Sequence, residues 1–295
     1  MSEKTTYDKA YKFILLIPLV LLIFSLGYIY TFNQKNGDFI QKDVSLTGGT
    51  SLTIEVSKAI DLAELNSFLE QRLEDFSIRE ITGLTTGNQE AVVISSQVEA
   101  DELKEIVQEY LKYDLTSENS SIEFTGASLS AAFYNQLIKA IIFAFILMAI
   151  IVFLIFRNIV PSLAVILSAF ADIVMTLALV DIIGVKVSTA GIVAFLMIIG
   201  YSVDTDIMLT SRLLKQKEGT LNQRMISSLK TGLTMTLTSL VAVSVALFIT
   251  SGISEVLKQI FLILAIGLCF DILNTWFANA GILKWYIERK EVKQP

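Results

Sequence analysis

Six stretches of this chain are too long and too apolar to serve as buried elements of a soluble domain. A bilayer core about 30 Å thick takes roughly 20 mainly apolar residues in a helix. Residues at about 11–32, 134–156, 160–182, 187–212, 229–250 and 256–284 meet that requirement. In hydrocarbon every backbone polar group must be satisfied within its own segment, so each stretch is expected to be a transmembrane helix. Hydrophobic residues make up 53% of the 295 positions, and apolar surface on that scale needs lipid. The partition expected is 1–32 for a cytoplasmic N-terminus and helix 1, 33–133 for an external domain, 134–285 for helices 2–6, and 286–295 for a cytoplasmic tail.

Lys and Arg favour cytoplasmic loops. One side of this plan gathers Lys4, Lys9 and Lys12, then Arg157, then Arg212, Lys215, Lys217, Arg224 and Lys230, then Lys284, Arg289, Lys290 and Lys293. The short loops opposite carry only Lys186 and Lys258, so both termini are expected in the cytoplasm of a multi-pass cell-membrane protein. Helix 1 follows lysines as a signal peptide does, but its apolar run from Phe13 to Phe32 is long and no small-residue cleavage site follows, which reads as a retained anchor.

The polar segment alternates in period. Ser51–Val56 alternates as a strand; Asp61 with Glu64 forms a capping box ahead of Leu62, Leu65, Phe68, Leu69 and Leu73 at helical spacing. Ile78–Leu84 and Ala91–Ile94 flank Thr86-Gly87-Asn88, a hairpin signal. Ser96 and Glu99 are read as caps of a second helix to about Tyr113, and Ile122–Phe124 as a last strand. The order β-α-β-β-α-β is ferredoxin-like, so the fold class is a polytopic α-helical membrane protein, one helix plus five, with an inserted α+β domain.

Several function classes drop out. Net charge is −6, and residues 33–139 hold 18 acidic against 8 basic residues, which argues against nucleic acid as a partner. The chain has no histidine and one cysteine, Cys269, which removes histidine-based catalysis, histidine or cysteine-rich metal sites and intrachain disulfides. No metal site, no catalytic residue and no cofactor are expected, and any proton chemistry must use carboxylates.

Four carboxylates lie well inside the spans, away from their ends: Asp172 in the third, Asp204 and Asp206 in the fourth, Asp271 in the sixth. An ionised Asp at the bilayer centre costs at least about 2.5–3.5 kcal/mol, so such residues usually face a bundle interior and serve transport or proton relays. At 1.5 Å per residue, Asp172 is about 16 Å beyond Pro161 and Asp204 about 12 Å before Arg212, which allows similar depth. Asp204 is taken as the relay partner of Asp172. Asp206 lies about 200° round the helix from it, so it faces another neighbour or the helix deforms near Gly200. Arg212 is read as either an inside anchor or a mobile counter-charge. Asp271 opens a polar strip with Asn274 and Thr275, at i+3 and i+4, followed by Asn279, and Thr231, Thr234 and Thr238 form a similar strip in the fifth span, a pattern commoner in helix packing than in pathways. Low dielectric favours the neutral carboxyl, so Asp172 and Asp204 could exchange protons, the alternative being permanently protonated hydrogen-bonding groups.

The segment Gly200-Tyr201-Ser202-Val203-Asp204-Thr205-Asp206, with Arg212 beyond, resembles the fourth span of SecF proteins. Leu46-Thr47-Gly48-Gly49-Thr50 is similar to the family's segment after the first span, with Ser45 where many bacterial members have Asp. Ile122-Glu123-Phe124-Thr125-Gly126 resembles the strand before the second span, and Phe170-Ala171-Asp172-Ile173 the family's His-Asp pair, with Ala171 in place of His. Asp271 to Trp276 with Asn279-Ala280-Gly281 is closer to archaeal members. The resemblance implies a non-enzymatic subunit of the SecD/SecF family, within the resistance-nodulation-division superfamily. It also implies that the chain works in the membrane with SecD and the Sec protein-conducting channel on exported unfolded polypeptides, drawing on a proton or ion gradient. Rival readings are half of a lipid or small-molecule exporter, a scaffold for the channel, and an intramembrane aspartyl protease, the last weakened by the divergence of Asp204 and Asp206.

Overall fold

The computed structural model describes residues 11–292 apart from 12, 57–58, 83–87, 217–218 and 252–253. Lys4, Lys9, Lys12, Lys217 and Lys293, the hairpin residues Thr86 and Gly87, and Leu84 lie outside the described residues. In chain order the elements are α1 (Leu16–Asn36), α2 (Val44–Thr47), β1 (Gly49–Glu55), α3 (Leu62–Glu70), β2 (Phe76–Thr82), β3 (Gln89–Ser96), α4 (Ala100–Leu111), β4 (Ser120–Thr125), α5 (Ala127–Phe156), α6 (Ile159–Ile182), α7 (Thr189–Lys215), α8 (Leu221–Thr250) and α9 (Glu255–Leu273). A π-helical turn, Asn274–Asn279, follows, and then α10 (Ala280–Val292).

Six helices are long and apolar enough to cross a membrane, the last running through α9, the π turn and α10. Several run past the apolar limits expected from sequence. α1 continues to Asn36 before Gly37 donates to the Asn33 carbonyl at 2.9 Å, and α8 starts at Leu221 because Thr220 and Gln223 form a complete capping box. α6 and α7 are the most enclosed helices, and α5 and α8 the least. Composition explains the arrangement. Ala164, Ser168, Ala169, Ala171 and Ala178 on α6 and Gly191, Ala194 and Ser202 on α7 are small and buried, letting backbones approach. The bulky face of α5, with Phe143, Ile150, Ile151 and Leu154, is left outward for lipid or another chain.

The α+β domain joins α1 to α5. Its sheet is antiparallel with order β2-β3-β1-β4, as the ferredoxin-like pattern requires. The registers Leu52↔Ile94 and Ile54↔Val92 line up residues of one face, and these four with Leu65, Leu69, Leu103 and Val107 of the two helices are fully buried. Each such side chain contributes about 1.5–3 kcal/mol relative to exposure. Asp61 caps α3, its Oδ1 accepting from the N–H groups of Ala63 at 2.9 Å and Glu64 at 3.2 Å. Asp61→Ala is expected to cost about 1 kcal/mol, visible as faster amide exchange in α3. Ser96 does not cap α4 as expected. It ends β3 instead, where its hydroxyl donates to the Asp75 carbonyl at 2.8 Å, and Glu99 occupies the N-cap position without a side-chain cap bond.

Candidate functional site

Three of the four carboxylates placed well inside the spans converge where α6, α7, α9 and the π turn meet: Asp172, Asp206 and Asp271, each at most 1% exposed. Ser202 donates to Asp172 Oδ2 at 2.5 Å and Asn274 Nδ2 to its Oδ1 at 2.6 Å. Asn279 Nδ2 donates to Asp206 Oδ1 at 2.7 Å. The Thr275 hydroxyl lies between two carboxyls, 2.9 Å from Asp206 Oδ1 and 3.1 Å from Asp271 Oδ1. Thr236 of α8 reaches Asp271 Oδ2 at 3.4 Å. Among the described residues none of the three carboxyls has an ion-pair partner, so hydrogen-bond donors alone hold them.

Local geometry explains who meets whom. On α7, Ser202 and Asp206 are four residues apart and so lie on one face, a turn apart, opposite α6. On the sixth span, the π turn widens the helix so that Asn274 and Asn279, five residues apart, both reach across, one to α6 and one to α7. A regular helix would carry Asn279 well round from Asn274, and a polar strip read at α-helical spacing misses this. Of the two alternatives for Asp204 and Asp206, a deformation near Gly200 is not found, since α7 is α-helical from Thr189 to Lys215, and the two residues face different surroundings.

Asp204 lies elsewhere than expected, while for Arg212 and the threonine strip one of the two readings left open is excluded or favoured. Asp204 does not join Asp172; it is exposed on the opposite face of α7, in a stripe with Val193, Met197 and Tyr201, and makes no hydrogen bond or ion pair among the described residues. The 200° between positions two apart on a helix sends one Asp in and the other out, and the buried one is Asp206. Arg212 donates to Thr231 Oγ1 at 2.9 Å and to the Ser227 carbonyl at 3.4 Å, so it ties α7 to α8 rather than pairing with a carboxylate. In the threonine strip, Thr234 and Thr238 bond back to their own helix, and the threonine that faces the site is Thr236, two residues out of phase.

The family-motif residues divide between two places. Tyr201 and Gly200 look outward and Ser202 inward, while Thr47, Gly48 and Gly49 sit at the junction of the α+β domain with α5. Lys284, expected among the cytoplasmic-side tail cations, is fully buried, its ammonium 3.1 Å from Asn222 Oδ1, 3.9 Å from Glu288 Oε1 and 5.3 Å from the Tyr11 ring centre. Its place thirteen residues after Asp271 on the same span was the available signal.

Residues 102–289 match the family described as protein export membrane protein SecD/SecF, C-terminal. The chain is 40% identical to the protein-export membrane protein SecF of Methanocaldococcus jannaschii, over 97% of this chain and 99% of that one. It is 38% identical to the same-named protein of Methanothermobacter thermautotrophicus, over 95% and 94% respectively. Its structure is similar to that of SecDF, a translocon-associated membrane protein from Thermus thermophilus, with a TM-score of 0.76 at 17% identity, over 97% of this chain and 39% of that longer chain.

Proposed function

Because the chain belongs to the SecF family of protein-export membrane proteins, we propose that it is an auxiliary, non-enzymatic subunit of the Sec translocase. It works with a SecD subunit and the protein-conducting channel to promote export of unfolded polypeptides across the cell membrane. Movement of a proton or ion through Asp172, Asp206 and Asp271 biases two arrangements of the helices, and the α+β domain follows. Both termini face the cytoplasm and the α+β domain lies outside, as the Lys and Arg distribution supports.

The observation that carries this reading is the Thr275 hydroxyl shared by Asp206 and Asp271. It has one hydrogen to give, so it serves one carboxylate and can only accept from the other, which must then bring its own proton. That arrangement suits a site that takes up and passes on a proton between two carboxyls. Protonation that differs between two helix arrangements is a differential interaction of the kind a switch needs.

Asp204 supports the partner half of the reading. An ionised carboxyl facing lipid costs at least about 2.5–3.5 kcal/mol. The exposed stripe Val193, Met197, Tyr201 and Asp204 is therefore assigned to the seam with SecD, where a donor or cation of the second subunit meets Asp204. Asp204→Leu is expected to lower SecD recovered by co-purification while leaving the amount of this chain in the membrane unchanged. Full recovery of SecD, with export intact, would favour the reading of the chain as a scaffold held by other surfaces.

A further inference from the structure

The segment between α1 and the sheet is a strap bonded to the domain-side ends of the helices that carry the carboxylates. Asp38 accepts from the Tyr134 hydroxyl of α5 at 2.8 Å, and Lys42 lies 2.7 Å from its other oxygen. The Gln41 N–H donates to Asp181 Oδ1 at 3.1 Å, on the last turn of α6. Lys42 pairs with Val187 as a single parallel bridge: Val187 donates to the Gln41 carbonyl at 2.6 Å, and Asp43 donates to the Val187 carbonyl at 2.9 Å. Ser188, next along, caps α7. On the strap's other side, the Asp43 carboxylate holds Arg79, in the middle of β2, at 2.8 Å.

Asp181 is nine residues beyond Asp172 on an unbroken helix, about 13 Å at the helical rise. The residue is 2% exposed, with Oδ1 on the strap and Oδ2 buried without a hydrogen-bond partner among the described residues. A buried carboxyl oxygen left unsatisfied is costly, so this contact is one that a second placement of the strap could improve. A helix that tilts or turns about Asp172 moves Asp181, and the strap offers that movement a bonded route to Arg79 and the sheet.

We propose that Asp181 is a positioning residue, the joint through which a change in α6 at Asp172 reaches the α+β domain by way of Gln41, Asp43 and Arg79. The proposal rests on the reading of Asp172 as part of the switching site.

The test is a spin-label distance between Glu105 on α4 and Ile249 at the domain end of α8, both changed to Cys in a Cys269→Ser background, with SecD present. Asp172→Asn, which mimics the neutral carboxyl, is expected to shift the distance distribution. That shift is expected to be lost in Asp181→Ala and in Arg79→Ala, and kept in Asp181→Asn, which retains the acceptor oxygen. Arg79 is partly exposed and lies in β2, outside the helix bundle, so it carries the test should Asp181→Ala not assemble. A shift that survives severance at Arg79 or at Asp181 overturns the joint and leaves the switching site standing. Absence of any shift in Asp172→Asn instead removes the switching reading, and the joint falls with it.

Discussion

Asp206→Asn is expected to reduce export of a secreted reporter by on the order of tenfold or more, without loss of membrane level or of SecD co-purification. The asparagine has the same shape and keeps an acceptor oxygen for Thr275 and Asn279, which lie 2.9 and 2.7 Å from the carboxyl. Packing should therefore survive. What disappears is a group that can change its charge, and with it the energetic difference between protonated and unprotonated site. A two-state equilibrium responds only to such a difference, so removing it removes the bias however well the helices still pack. Asp206→Leu is a different experiment, since it strands the Asn279 amide at about 1–3 kcal/mol and confounds function with stability. Export unchanged in Asp206→Asn would make the cluster a set of structural hydrogen bonds and return the argument to a scaffold.

The second large effect belongs to the motif glycines. Gly49 has φ near +139°, and a Cβ there would lie 2.3 Å from the Ser96 carbonyl oxygen and 2.8 Å from Gln97 Cα. Gly48, with φ near +88°, would place a Cβ 2.4 Å from Ala127 Cα at the start of α5. Both obstacles are backbone, so neither can swing aside. Gly49→Ala combines a positive-φ cost of about 1–3 kcal/mol with overpacking of about 1–3 kcal/mol. The expected result is a steep fall in membrane level or in thermal stability of the detergent-solubilised protein, with protease cutting near the strap. Wild-type behaviour would mean that β1 and the first turn of α5 can separate at little cost. The glycine pair thus has a mechanical reason: it lets the strap, the end of β3 and the first turn of α5 share one crowded point.

Much of the architecture was legible in the residues alone. Apolar runs longer than a bilayer core have only one stable form, which placed six spans, and alternation in Ser51–Val56 against helical spacing from Leu62 to Leu73 placed the inserted domain and its element order. The observed strand order and the Asp61 cap agree with that reading. Helix ends were less legible, because capping residues and domain contacts, rather than the apolar boundary, decide where α1, α5 and α8 stop or start.

The site divided differently. That Asp172, Asp206 and Asp271 lie inside the membrane followed from sequence, and so did the opposition of Asp204 to Asp206. Which of the two faces inward did not follow, because a membrane helix is apolar on every side and carries no amphipathic stripe to mark its buried face. Neighbouring helices settle that choice: Asn279 and Thr275 hold Asp206, leaving Asp204 on the exposed face of α7. The π turn that brings Asn274 and Asn279 onto one face, the Arg212 contact with Thr231, and the burial of Lys284 are likewise products of packing. Sequence by itself determined the spans, the inserted domain and the depth of the charges, since each depends on local period and on the solvent a segment needs. Tertiary structure alone decided partners, since a hydrogen bond between residues 30 to 100 positions apart is set by how three helices meet.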